Sequence, residues 1–537
     1  MQPNPSFDQT VLIASLLQPA CYPHPAMTVE HLQTHVSHVL LAGNFAYKIK
    51  KPLNLGFLDF TSLERRRYYC EEELRLNGRL APDLYLDCVP IGGDPARPVL
   101  GNFAGPAIEY AVRMRRFSQE ALLDRALAAG RLEPHHLDTL ARRLADFHRS
   151  IPIAGPTTRF GDPERVRQPM LDDFVHTRPR LADPADLDVL AAVERWTLAE
   201  SGRLWPRLIE RKAGGYIREC HGDLHLGNMI LTDAGQITVF DCIEFNDDLR
   251  WIDVINDLAF LIMDLRFRNA GSLAQRALNT YLEYSGDFAG IALLPYYQVY
   301  RAMVRAKINA IQASQDDLSK PDRAAARALC RDYLRLALAL TQKPRPFLLI
   351  AHGVSGSGKS RRTGQLLERF PGVIRIRSDV ERKRLFGLAP LDDSGSVLGG
   401  GLYAPDASAR TYARLLELAD QLLAAGHPVL VDATFMKRDH RQPFRDLAAR
   451  HGIPFILLDC VADPDTLRAR VAARRARGDD AAEADVAVLE RQLQFDEPPT
   501  TDENPLKTDG DSDVERLQMA IIAAIEHFSP IDEAVPK

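Results

Sequence analysis

The stretch from Phe347 to Phe370 constrains this chain more than any other. Phe347–Ala351 reads as a buried-type strand and Arg361–Phe370 as a helix. Between them Gly353, Gly356, Gly358, Lys359 and Ser360 fit G-x-x-x-x-G-K-[ST], with a strand before and a helix after, as that loop requires. The residue types follow from chemistry. Glycines let successive backbone N–H groups, including those of Ser355 and Ser357, turn inward on phosphates, and the helix adds its positive end. Lys359 then reaches the β/γ-phosphates and the Ser360 hydroxyl is a Mg2+ ligand. Downstream, apolar strands at Val373–Ile376, Val429–Val431 and Phe455–Leu458 alternate with helical patterns at Ala407–Ala425, Arg441–Arg450 and Pro464–Arg477. That alternation predicts a three-layer α/β/α domain with a parallel sheet. Leu388–Ala404 is a Gly-rich loop of the length that lids and binding segments have.

One such domain does not use up 537 residues, and at roughly 150 residues per domain the chain has room for about three or four compact units. Upstream, Thr34–Lys51 reads as a hairpin around Gly43 and Asn44, followed by a charged helix from Thr61 to Leu80 and strands near Tyr85–Ile91 and Ile108–Met114. Helical periodicity then dominates to Leu340, interrupted by a short strand at Ile237–Asp241. A small β-rich lobe thus precedes a larger helical one. The prolines Pro344 and Pro346 mark the boundary with the P-loop region, giving domains over 1–342, with lobes of about 25–115 and 116–342, and over 343–537.

Within the helical lobe His221, Asp223 and Asn228 have the spacing H-x-D-x-x-x-x-N, in which the carboxylate deprotonates a hydroxyl and the amide holds Mg2+. Thirteen residues after Asn228 comes Asp241, placed for a second metal-binding carboxylate. Ala46 and Lys48 share one face of a strand, and Glu71, Glu72 and Glu73 follow on a helix, so a Lys–Glu pair over nucleotide phosphates is available. Lys50 lies on the same face as Lys48, and both lysines stay open at this point. His221 and His225 are read as structural support for Asp223, with metal ligation as the alternative; Glu244 is open between a third metal-site carboxylate and a bystander.

Composition excludes several classes. Apolar residues make up 46% and charged residues 26%, values of ordinary globular proteins, and the net charge of -5 gives no whole-chain attraction to polyanions or membrane surfaces. Seven scattered cysteines without a C-x-x-C pair suggest neither a disulfide framework nor a zinc cluster, and fit a cytoplasmic location. The apolar run Val11–Leu17 lacks the basic residues and the cleavage site of an export signal. Asp253, Asp257 and Asp264 break the most hydrophobic stretch, so no membrane span is expected.

The segment 347 to about 528 resembles the small P-loop kinases that phosphorylate hydroxyls, the group including gluconate kinase, polynucleotide kinase and the zeta toxins. The resemblance rests on the loop just described and on Asp379 and Arg382 past the second strand, Asp432 ending the third, and an arginine-rich helix. It implies that Asp379 accepts the acceptor's proton, Arg382 binds the acceptor, Asp432 assists Mg2+, and Arg470 and Arg474 act as lid arginines. On the residues alone Asp379 is also a candidate helix cap, and the arginines a solvated face. Residues 25 to about 340 resemble the aminoglycoside phosphotransferase and choline kinase group, relatives of protein kinases. That likeness implies Asp223 as base, Asn228 and Asp241 as Mg2+ ligands, and Lys48 with Glu73 on the nucleotide. No G-x-G-x-x-G loop precedes the lysine and no activation segment is evident after Asp241, which argues against a protein kinase. The two together resemble bacterial fusions described as aminoglycoside-phosphotransferase-like proteins with an ATP-binding domain.

The expectation is therefore a chain of mixed α/β and α+β domains with two ATP·Mg2+ sites, each transferring a phosphoryl group to a hydroxyl of a small molecule. Two alternatives remain open: one half senses nucleotide without chemistry, or the P-loop half acts on a nucleic-acid end or nucleotide sugar. The run from Arg474 to Asp480 is diluted by acids and offers no aromatic stacking platform, which disfavours nucleic acid. Oligomeric state and the identity of either acceptor are not encoded in any motif.

Overall fold

The N-terminal strands form a six-stranded antiparallel sheet, β1 (Val29–Gln33), β2 (Ser37–Ala42), β3 (Phe45–Lys50), β4 (Tyr85–Asp94), β5 (Arg97–Leu100) and β6 (Glu109–Arg115), in the order β1-β2-β3-β6-β4-β5. This is seen in a computed structural model that describes residues 9–56, 58–316, 318–392, 394, 405–477, 481–509 and 513–528. Each face of the sheet has its own core. Leu40, Ala42, Tyr47 and Ile49 pack with Leu12, Ile13 and Leu16 of the helix Gln9–Leu16, so the apolar run Val11–Leu17 contributes to a core. Leu41, Ala46, Val112 and Met114 face the other way, toward Cys70 of the helix Leu63–Asn77. Period two therefore sends Lys48 and Lys50 to that second side, with Ala46. The helix Leu63–Asn77 is capped by Ser62, whose Oγ accepts from Arg65 N at 3.2 Å.

Beyond the sheet, β7 (Ile217–Glu219) pairs antiparallel with β10 (Trp251–Asp253), and β8 (Met229–Leu231) with β9 (Ile237–Val239). The helix Val254–Phe267 comes directly after β10. These strands, and the helix as far as Asp264, fall in the first of two compact units, Met1–Thr139, Phe147–Asp172 and Ser201–Asp264.

The second unit comprises Leu140–Asp146, Asp173–Glu200 and Leu265–Lys537. Its sheet contains β11 (Leu348–His352), β12 (Ile374–Arg377), β13 (Val429–Asp432), β14 (Phe455–Cys460) and β15 (Leu506–Thr508), ordered β12-β13-β11-β14-β15 with every pair parallel. Every residue of β11 and β13 is buried, as helices on both faces demand. β15 has three residues and no periodicity to read, and the sequence offers no sign of it. The long helices Leu294–Ala313 and Lys320–Leu340 belong to this unit as well. The chain is thus mixed α/β, a β-rich and then helical kinase-like part followed by a parallel-sheet P-loop fold.

Candidate active sites

In the first unit β3 aims two lysines at one carboxylate. Glu73 is wholly buried; its Oε1 accepts from Lys48 Nζ at 2.8 Å and its Oε2 from Lys50 Nζ at 2.7 Å. Lys48 also donates to Asp241 Oδ1 at 2.7 Å, and Lys50 donates to Glu244. The charges alternate in a ladder, Asp241, Lys48, Glu73, Lys50 and Glu244. Lys48 is the lysine that reaches Asp241, and Glu72 turns instead to Arg75 at 2.8 Å. Burial on its own raises the Glu73 carboxyl, but the two ammonium groups override it and hold it at about 2. Burial pushes Glu244 up, opposed by Lys50. Burial likewise works against the Lys48 ammonium, yet Asp241 and Glu73 outweigh it and lift its pKa well above the ordinary value.

The loop after β7 carries the remaining groups. Asn228 Nδ2 donates to Asp223 Oδ2 at 2.8 Å and to Asp223 O at 3.0 Å, which turns its Oδ1 away from Asp223. Asp241 sits in the left-handed region at φ 64, with its N–H donating to Tyr85 Oη at 3.2 Å. Asp223 and Asp241 keep 33% and 43% of their side chains exposed, so their carboxylate oxygens remain accessible as hard donors of the kind Mg2+ takes, with Asn228 buried beside them.

That loop is shaped from beneath by the helix Val254–Phe267. Asp257 accepts from His221 N at 3.0 Å and Gly222 N at 2.8 Å, while Asp264 accepts from Leu226 N at 2.9 Å. His148 Nε2 lies 3.1 Å from Asp257. Burial opposes the Asp257 charge, but His148, His221 and the loop amides hold its pKa at about 2. His221 is buried with its pKa lowered by that burial, and its Nε2 meets Phe240 O at 2.9 Å, tying the loop to the residue before Asp241. His225 Nδ1 accepts from Gly227 N at 3.1 Å. Both histidines therefore hold the loop's shape.

In the second unit the P-loop leaves β11 and enters the helix Lys359–Arg369. Gly353, Gly356 and Gly358 have φ values of 137, 85 and 93. A Cβ on Gly353 would stand 2.5 Å from Cys460 O, and one on Gly356 2.7 Å from Leu467 O, so the cradle closes only around glycine. Lys359 Nζ donates to Gly353 O at 2.6 Å and Val354 O at 2.9 Å, and burial lowers its pKa. Its Nζ stands 3.4 Å from Ser357 Oγ, and Ser355 N donates to Gln492 Oε1 at 2.7 Å. A cavity of about 470 Å³ opens over the loop, and Ser360, Asp379, Arg382, Asp432, Arg470 and Arg474 all line it. Asp432 accepts from Thr363 Oγ1 at 3.1 Å. Asp379 lies in the first turn of the helix Ser378–Leu385, whose N-cap is Arg377, so it does not cap that helix. It stands 3.9 Å from Arg382. Arg470 approaches Gly356 O at 3.4 Å and Arg474 donates to Ala484 O at 3.0 Å. Residues 393 and 395–404 of the Gly-rich loop lie outside the described residues.

Several groups at this site were not singled out by motif. His352, one residue before Gly353, sits between Asp459 at 2.7 Å and Asp496 at 3.2 Å. Gln492 lies 137 residues from the amide it meets, a pairing no local pattern signals. Tyr412 accepts from Phe435 N at 3.0 Å, where Phe435 has φ 46.

A P-loop over a cavity in one unit and a kinase-type loop in the other define a chain with two kinase-like domains. Family models agree: residues 70–294 match the phosphotransferase enzyme family and residues 348–499 an AAA domain. The chain belongs to the same family as uncharacterized protein Rv2004c of Mycobacterium tuberculosis and uncharacterized protein Mb2027c of Mycobacterium bovis, each 32% identical over 480 residues, or 89% of this chain and 93% of the relative. Among solved structures it is similar to amicoumacin kinase hAmiN, with 15% identity, 61% of this chain and 92% of that one covered, and a TM-score of 0.38. It is also similar to the APS kinase CysC of Mycobacterium tuberculosis, with 25% identity, 34% and 99% covered, and a TM-score of 0.25. The chain is a kinase. No helix among the described residues is long and apolar enough to cross a membrane.

Proposed function

We propose that the chain has two separate ATP·Mg2+ sites, in domains spanning 1–342 and 343–537, and that each transfers the γ-phosphoryl group to a hydroxyl of a small molecule. The observation that carries this is the presence of a full set of groups in each unit: Lys48, Glu73, Asp223, Asn228 and Asp241 in one, the P-loop with Asp379, Asp432, Arg470 and Arg474 around one cavity in the other. Phosphoryl transfer needs positioning and charge neutralisation more than covalent chemistry. In the first site Lys48, fixed by Glu73, grips the nucleotide phosphates, Asn228 and Asp241 hold the metal, and Asp223 takes the acceptor's proton. In the second, Lys359 and the loop amides hold the β/γ-phosphates, Ser360 and Asp432 the metal, Arg382 the acceptor, and Asp379 takes its proton as the arginines neutralise the moving charge. Mg2+ supplies compensation for charge on the phosphate oxygens. All seven cysteines are free, which supports a cytoplasmic setting.

Incubating the full chain with labelled ATP and fractionated cell metabolites tests this. Asp223→Asn keeps size and hydrogen bonding but removes one base, so one set of labelled products should fall by roughly 10²–10⁴ while a second persists. Lys359→Ala should remove the second set alone. If Asp223→Asn leaves every product unchanged, the first site senses nucleotide without chemistry.

A further inference from the structure

An edge strand presents unpaired backbone groups that must be covered. Among the described residues β12 is the edge of the parallel sheet, paired with β13 alone. Its open side is covered by side chains of the helix Gly271–Ser285, in the same compact unit. Gln275, Asn279 and Glu283 recur every fourth residue and so share one stripe of that helix, and all three are buried, at 3%, 1% and 7% exposure. Asn279 behaves like a peptide group of a missing neighbour strand: Oδ1 accepts from Arg375 N at 2.7 Å and Nδ2 donates to Val373 O at 3.2 Å. Gln275 does the same one step earlier, accepting from Gly372 N at 3.1 Å and donating to Val373 O.

Glu283 continues the row onto side chains. It pairs with Arg375 at 2.6 Å and Arg377 at 3.6 Å, and although burial opposes its charge the two guanidinium groups hold its pKa below the ordinary value. Arg377 is the N-cap of the helix Ser378–Leu385, which carries Asp379 and Arg382 on the wall of the cavity. The far end of that helix is gripped too, since Arg384 donates to Glu283 O and pairs with Glu381. The carboxyl end of Gly271–Ser285 therefore touches both ends of the acceptor-side helix.

We propose that Gln275, Asn279 and Glu283 are positioning residues for the P-loop reaction: they set β12, and through Arg377 and Arg384 they fix where Asp379 and Arg382 stand relative to the phosphates. This rests on the kinase reading of that site. The helix lies inside the segment that matches the phosphotransferase family, so a part of the chain assigned to one reaction braces the other. The hydrogen bonds and ion pairs of the three run to Gly372–Arg377 and Arg384, on the acceptor side, and so they govern turnover rather than nucleotide affinity. A misplacement of about 1 Å at a reacting group is enough to cost on the order of 10²-fold in rate.

The test uses the full chain in an Asp223→Asn background, so that ATP turnover reports the P-loop site, with Lys359→Ala as the blank. Asn279→Leu removes both edge contacts, and Glu283→Gln keeps the shape but removes the charge. Each should lower turnover about ten-fold and speed amide hydrogen exchange across Arg375–Leu385, with AMP-PNP affinity within about two-fold and exchange in β14 unchanged. Asn279→Gln, which retains an amide acceptor and an amide donor, should recover part of the loss. Unchanged exchange at Arg375–Leu385 in both variants would overturn the proposal, as would turnover and AMP-PNP affinity lost in parallel. If Asn279→Leu does not fold, Glu283→Gln alone decides. If Lys359→Ala leaves turnover untouched, the kinase reading fails instead, and the exchange measurement still reads the brace.

Discussion

At the scale of single residues, Lys48 and Lys50 have the same charge, strand and carboxylate partner and differ in burial. Lys50 is 1% exposed and lies between Glu73 and Glu244, whereas Lys48 is 14% exposed and faces Asp241, itself 43% exposed. Removing one member of a buried pair strands the other, at a cost of about 3–5 kcal/mol. Lys50→Met should therefore destabilise the first unit by about that amount in urea unfolding, and adding Glu244→Met should restore most of it, because a buried pair replaced by apolar groups is close to neutral. Lys48→Met should cost less stability and remove turnover at that site. Equal stability losses for the two lysines would refute the division of labour. His352 offers a pH-dependent counterpart in the second unit. Burial opposes its charge, but Asp459 and Asp496 prevail and raise its pKa above 6.5. A raised folded value means the stabilisation is complete below 6.5 and is lost as pH climbs through that folded value. The melting temperature of the wild type should accordingly fall more between about pH 6 and about pH 9 than that of His352→Gln. Parallel slopes would show that the two carboxylates do not hold the proton there.

At the scale of elements, what the sequence disclosed and what it hid obey one physical rule. Groups that local spacing brings together had a legible placement: the P-loop from its glycines and flanks, Asp223 and Asn228 from one loop, the face of Lys48 from period two. Groups that act across the fold were not. Lys50 meets Glu244 from 194 residues away, and β15 joins its sheet with three residues. The helix Val254–Phe267 lies between these cases, because its acids were visible as acids but their targets were not. Asp257 accepts two successive loop amides, a job an isosteric amide performs half as well, since its NH2 must face one of the two donors. Asp257→Asn should cost about 1–3 kcal/mol for the amide left unsatisfied and lower turnover at the Asp223 site, with nucleotide affinity little changed. The carboxylate's own contribution is complete above 3.8 and disappears as pH falls toward about 2, so the variant should show a flatter acid limb in thermal unfolding. An acid limb identical to that of the wild type would remove the charge from this account.

For the whole molecule, the motif-based division at 342/343 and the pattern of contacts lead to different expectations for a cut chain. The parallel sheet, the P-loop and every residue lining the cavity over it lie beyond residue 343. By motif alone, a 343–537 fragment holds a complete kinase. The edge of that sheet, however, is completed by Gln275 and Asn279, and His427 Nδ1 meets Gly372 O at 3.2 Å in the same region, where burial lowers the histidine's pKa. Cutting at 343 would expose Val373 O and Arg375 N along a short strand flanked by the apolar Ile374 and Ile376, an arrangement that invites pairing with another copy. The fragment should therefore self-associate as its concentration rises, while the full chain, with that edge covered, should not do so through β12. Sedimentation of the fragment across a range of concentrations, beside the full chain, reads this directly, because only the fragment has that edge uncovered. A fragment that stays monomeric at high concentration and turns over ATP at the rate of the full chain would mean that the helix Gly271–Ser285 covers the edge without being needed for the reaction beside it.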